Sequence, residues 1–136
     1  MKILVIDGQG GGMGRAIVER LRTELPNTEI IAAGTNATAT SSMLKAGASV
    51  GATGENAVVY NCAHSDIIIG PIGIILANAM LGEITPTMAC AVATSNAKGV
   101  LIPVAKCHAH IVGIEEKSMS RYIEEAIDIV LGFYKA

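Results

Sequence analysis

The run Ile3-Leu4-Val5-Ile6-Asp7, followed by Gly8-Gln9-Gly10-Gly11-Gly12-Met13-Gly14, constrains this chain more than any other segment. An apolar run ending on an acid, then glycines packed into a short stretch, predicts a buried strand, a sharp turn and a helix start. Gly8 and Gly10 are expected to take positive φ at the turn, where a Cβ would clash. Gly12 and Gly14, at the helix start, are expected to leave N–H groups open to an anion and to seat the helix close to the strand. The helix dipole adds attraction for negative charge, and Arg15 would add a cation. Gly8 to Arg15, with Gln9, Gly11 and Met13 included, is therefore the expected phosphate cradle. The competing reading is a turn whose glycines serve strand–helix packing alone.

Beyond this segment the chain alternates short apolar runs with longer helical ones, the pattern of a parallel sheet covered by helices. Strands are expected over 2–7, 29–34, 66–70, 99–104 and 109–114, and helices over 13–25, 38–46, 54–63, 72–82, 86–97 and 118–134. Ser118 is the expected cap of the last helix, whose inner face is spelled by Ile123, Ile127, Val130 and Leu131. The expected fold class is α/β: a single-domain Rossmann-like three-layer sandwich, with an about five-stranded, mostly parallel sheet and helices on both faces. With 136 residues, 51% of them apolar, one such domain has ample material for its core. One Phe, three Tyr and no Trp leave that core to Ile, Val, Leu, Met and Ala.

Charge and composition narrow the partners. A formal net charge of −2, without a clustered basic face, argues against nucleic acid. The apolar blocks between Ile72 and Ala97 are broken by Glu83 and Pro86 and are too short to span a bilayer, so no membrane partner is expected. That same 72–97 region, with Asn78 almost its only polar residue before Gly82, is the expected contact of a homo-oligomer. Three cysteines, Cys62, Cys90 and Cys107, form no CxxC pair and fit reduced thiols, which together with the lack of a signal-like segment points to the cytoplasm.

The stretch Ile3 to Leu21, including Gly14-Arg15-Ala16-Ile17-Val18-Glu19-Arg20-Leu21, resembles the cofactor-binding start of short-chain dehydrogenases/reductases. That resemblance implies NAD(P), or another nucleotide, with its phosphates on the glycine turn. The spacing is a variant, G-x-x-x-G-x-G through Gly8, Gly12 and Gly14, because Met13 stands where the strict pattern has glycine. Two further family features are missing from the sequence. There is no Tyr-x-x-x-Lys, and the second strand ends in Gly34-Thr35-Asn36 without the acid that would hold an adenosine ribose.

Three more polar segments fall where this architecture places its ligand crevice. Thr35 and Asn36 could bind a ribose or phosphate, or simply cap the next helix. In Gly51-Ala52-Thr53-Gly54-Glu55-Asn56, Thr53 could cap a helix while Glu55 and Asn56 face a ligand, or Glu55 could simply favour a helix first turn. Gly70-Pro71-Ile72-Gly73 follows a strand, and Glu83, in an apolar neighbourhood, needs a partner or a task. On these segments, together with Ala39-Thr40-Ser41 and Gly82-Glu83-Ile84-Thr85-Pro86, the chain is identified as a member of an uncharacterised family of short bacterial proteins, catalogued as a domain of unknown function.

Cys62-Ala63-His64 and Cys107-His108-Ala109-His110 gather every histidine beside a cysteine, a chemically suitable zinc set, but the spacing is unlike that of known zinc sites. No metal ligand is therefore assigned. The leading function is binding of a nucleotide or dinucleotide phosphate at the first glycine turn, with the reaction open. Two alternatives stand beside it: a non-catalytic, oligomeric metabolite-binding or interaction protein, and a metal-dependent hydrolase or lyase using His108, His110 and Glu83 or Glu55.

Overall fold

A computed structural model describes residues 1–104 and 109–135. Five strands, β1 (Lys2–Asp7), β2 (Glu29–Gly34), β3 (Val50–Thr53), β4 (Ile67–Pro71) and β5 (Lys98–Ile102), form one sheet in the order β3-β2-β1-β4-β5. Every pairing is parallel. Helices α1 (Gly12–Glu24), α2 (Ala37–Lys45), α3 (Glu55–Ala63), α4 (Pro86–Thr94) and α5 (Met119–Lys135) connect and cover it. The expected α/β, Rossmann-like sandwich with helices on both faces is what the chain adopts.

Strand alternation sorts the core into two layers. Ile3 and Val5 of β1, Ile30 and Ala32 of β2, and Ile67 and Ile69 of β4 face α1, Met43 of α2, and the Ile123, Ile127 and Val130 stripe of α5. Leu4, Ile6, Ile31, Ala33 and Ile68 face the other way, onto Val58 and Cys62 of α3 and Met88 and Val92 of α4. β1 is buried from Ile3 to Asp7 because it has a strand on each side and helices above and below. Ser118 caps α5 as expected, its hydroxyl accepting from Arg121 N–H at 3.2 Å.

Four local expectations need correction. Residues 50–53, outside the expected strands, form one: Val50-Gly51-Ala52-Thr53 carries little apolar signal because it is an edge strand, and its pairing with β2 defines it. Thr53 does not cap α3; its hydroxyl meets Thr40 Oγ1 at 2.8 Å, and Gly54 occupies the cap position. The expected helix over 72–82 is instead a short 3-10 turn, Ile72–Ile75, followed by a tight turn in which Asn78, Met80 and Leu81 all have positive φ. The expected strand over 109–114 is absent, since the described residues there run through a turn with Gly113 at φ 86°, which extended pairing cannot accommodate.

The 72–97 region, expected to carry a homo-oligomer contact, buries Ile74, Ile84, Met88 and Val92 against the chain's own sheet. Leu81, at the tip of the turn, is 99% exposed. Among the described residues no helix is long and apolar enough to cross a membrane.

Candidate functional site

The strand order places a switch point at the carboxyl ends of β1 and β4, where consecutive connections leave in opposite directions and a crevice opens. A cleft of about 1460 Å³ lies there, floored by Asp7 and the Gly8–Met13 loop and by Pro71, Ile72 and Gly73 after β4. The turn residues Leu76–Leu81 form one wall. Pro103, Val104, His110, Ile111, Met119 and Tyr122 contribute the opposite side.

Asp7 organises the glycine loop from beneath. Its carboxylate accepts from Gly8 N–H at 2.8 Å and from Gly14 N–H at 2.7 Å, bracketing both ends of the turn. Burial raises the Asp7 carboxyl above its ordinary range, the two N–H groups oppose that rise, and the Glu83 charge adds to it. Gly14 N–H is thus committed to Asp7 and not open to an anion. Gly11 N–H is also used, donating to Gly8 C=O at 2.9 Å.

The five glycines divide by what forces them. A Cβ at Gly8 would lie 2.6 Å from Thr35 Oγ1 and 2.7 Å from Met80 Sδ, and one at Gly14 would lie 2.8 Å from Asp7 Cβ and 2.7 Å from Met43 Sδ. Close strand–helix packing at Gly14 is therefore as expected. Positive φ falls on Gly11, at 74°, and on Gln9, at 49°, rather than on Gly8 and Gly10. Gly10 and Gly12 have neither reason: their φ is not left-handed, and a Cβ at either would meet nothing within 4 Å. The N–H groups of Gly10, Gly12 and Met13 have no hydrogen-bond partner among the described residues, and all three residues line the cleft.

Glu83 reaches this loop from the far end of the turn after β4. Its Oε1 accepts from Gln9 N–H at 2.9 Å, from Asn36 Nδ2 at 2.8 Å and from the Thr35 hydroxyl. Those bonds, the Thr35 hydroxyl foremost, hold the Glu83 carboxyl below its usual range. Asn36 also caps α2, accepting from Ala39 N–H at 2.9 Å, and donates to Gln9 C=O at 2.9 Å. The side chains expected to offer themselves to a ribose are therefore engaged within the chain.

The remaining expected residues separate likewise. Pro71 and Gly73 line the cleft, while Gly70 lies beneath it, where a Cβ would strike Ile6 C=O. Arg15 pairs with Glu19 at 3.1 Å on the exposed face of α1, outside the cleft lining. Glu55 accepts from the Thr85 hydroxyl at 2.6 Å, and neither it nor the exposed Asn56 lines the cleft. Sequence reasoning missed the turn wall and Tyr122, which come from elements remote from the glycine loop and carry no local motif.

Among the described residues the cysteine and histidine candidates do not converge. His64 sits at the amino ends of the strands, beside Lys2 and Asp66, away from the glycine loop. Burial pushes the Cys62 thiol up to about 11. Cys107 and His108 lie outside the described residues. Among the described residues no group of three or more histidine, cysteine or acidic side chains is placed to hold a metal ion.

A family model described as domain of unknown function DUF3842 matches residues 2–135, and the chain belongs to that family. Among solved structures, the chain is similar at 19% identity to a dodecameric FMN-dependent UbiX-like decarboxylase from Escherichia coli O157:H7. That match has a TM-score of 0.49 and covers 95% of this chain and 75% of that one. No curated protein matches the chain.

Proposed function

We propose that this protein binds a phosphorylated small molecule of the nucleotide class in the switch-point cleft, with the phosphate on the N–H groups of Gly10, Gly12 and Met13. The observation that carries the reading is the pair Gly10 and Gly12. Glycine in a folded chain answers to a left-handed φ, to a close neighbour, or to something outside the chain that must come near the backbone. Neither of the first two applies at these positions. Their N–H groups point to the third use, at the start of a 13-residue helix whose dipole favours an anion. NAD(P) is one candidate and other nucleotides are the rest; chemistry on the ligand would fall to side chains lining the cleft, such as His110.

Thermal denaturation with and without NAD, NADP, ATP, GTP, FMN and coenzyme A tests this. A ligand present at 100 times its dissociation constant adds about 2.7 kcal/mol to stability, a rise of several degrees in melting temperature. Gly12→Val, which has room within the chain, is expected to leave the unliganded melting temperature within about 2 °C and to abolish the shift. Absence of any shift, or a shift that Gly12→Val leaves intact, would sink the reading.

A second reading concerns assembly through the 72–97 region, favoured by the full exposure of Leu81. Under it, Leu81→Asp lowers the sedimentation coefficient of an assembled protein; an unchanged value removes Leu81 from the contact.

A further inference from the structure

The cleft is closed on one side, and that determines which class of phosphorylated ligand fits. Resting on the phosphate-binding reading above, we infer that the occupant is a phosphate monoester with one largely apolar ring system lying over β4 and β5. A dinucleotide whose second half runs across β2 is excluded.

Direction decides this, since the volume of about 1460 Å³ would admit either ligand. In a parallel sheet of this kind a dinucleotide straddles the glycine loop, and its adenosine half settles at the end of the second strand. Here Glu83 occupies that route. Its carboxylate is tied to Gln9 N–H on the glycine loop and to Thr35 and Asn36 at the end of β2, so the turn Leu76–Glu83 is fastened across the gap between the two strands.

Three physical consequences follow. The donors that could have received a ribose hydroxyl or second phosphate are already spent. Glu83, held in its charged form by those donors, would repel the second phosphate of a pyrophosphate. Met80 Sδ, which would lie 2.7 Å from a Cβ on Gly8, fills the space above the loop on that side. Among the described residues, no side chain of β2, α2, β3 or α3 lines the cleft.

The open side has the opposite character. From the N–H groups of Gly10, Gly12 and Met13 the cleft runs past Pro71 and Ile72 to Val104, Ile111, Met119 and Tyr122. Among the described residues this wall is mainly apolar, with His110, Glu116 and Lys117 as its polar members, and it suits a flat ring body beside Tyr122, its aromatic member.

Titration calorimetry on the full chain with AMP, FMN, pyridoxal 5′-phosphate, riboflavin and NAD separates the possibilities. At least one of the three phosphate monoesters is expected to bind ten times or more tightly than NAD. If FMN is that ligand, riboflavin, its phosphate-free counterpart, binds at least tenfold more weakly. Gly12→Val abolishes the binding, while Glu83→Gln, which keeps the shape and removes the charge, narrows the preference over NAD. NAD binding as tightly as any monoester, with loss in Gly12→Val, overturns the inference and leaves phosphate binding intact. No binding by any probe overturns both. Circular dichroism on each variant guards against reading an unfolded chain as a lost site.

Discussion

Two glycine-punctuated segments meet at the cleft, and they are built on different principles. The first, Gly8–Gly14, is a local structure: one carboxylate, Asp7, gathers N–H groups at positions 8 and 14. The second, Gly70–Glu83, is held at its far end by contacts to Gln9, Thr35 and Asn36, all distant in sequence. Both use a carboxylate to order backbone and side-chain donors. Asp7 is buried and its carboxyl is raised, whereas Glu83 is partly exposed and its carboxyl is lowered. An acid serving as an internal brace and an acid serving as a strap are thus distinguishable by the direction in which they titrate.

The largest effect is expected inside the first segment. Gly14→Val forces a side chain against Asp7 and Met43 and is expected to cost about 3 kcal/mol in urea unfolding, the upper part of the range for overpacking. Gly12→Val should change stability by no more than about 0.5 kcal/mol, as an open position does. Equal losses at the two positions would erase the division between packed and ligand-facing glycines.

Removing the brace comes next. Asp7→Ala leaves the Gly8 and Gly14 N–H groups without their acceptor, and a loss of about 2 kcal/mol is expected in the same assay. Part of that loss is offset because an ionised buried carboxylate is relieved.

The smallest effect is on the strap, and it carries the pH signature. Glu83→Gln retains an acceptor oxygen and is expected to cost about 1 kcal/mol at neutral pH. Because the folded-state pKa of Glu83 is depressed, its contribution is complete above the ordinary glutamate range, roughly 4.3, and is lost as pH falls through the lower folded value. The difference between wild type and Glu83→Gln should therefore shrink on acidification. Asp7 has the reverse sign: its raised folded pKa means that the burden of keeping it ionised is relieved as pH falls through that value. A wild-type minus Asp7→Asn difference that shrinks with acid in the same manner as Glu83 would abolish the contrast.

The same contrast explains what could be read from the sequence. β1, β2, α1 and α5 are legible because each is specified by its own periodicity and punctuation: the Ile3–Asp7 run, the Ile123, Ile127, Val130 stripe, Ser118 as a cap. The existence of a loop built on Gly8–Gly14 was equally legible, though not which glycines turn and which stand open. What was hidden depends on partners far along the chain. β3 is a strand because β2 supplies its hydrogen bonds, not because Val50-Gly51-Ala52-Thr53 insists on it. The apolar residues of 72–82 gave a helical pattern, yet the chain there must carry Glu83 back to the first loop, and left-handed residues at 78, 80 and 81 make that turn. That Glu83 needed a partner followed from its apolar setting; that the partners would be Gln9, Thr35 and Asn36 did not.

The central position of β1 has a consequence for how the chain is made. Its partners on the two sides are separated in the order of synthesis, with Glu29–Gly34 arriving early and Ile67–Ile69 much later. A nascent chain ending at β3 can assemble β3-β2-β1, but it leaves one flank of β1 with unpaired N–H and C=O groups until β4 emerges. At ribosomal speeds of about 5–20 residues per second that interval is on the order of a second, long enough for an exposed apolar edge to need shielding.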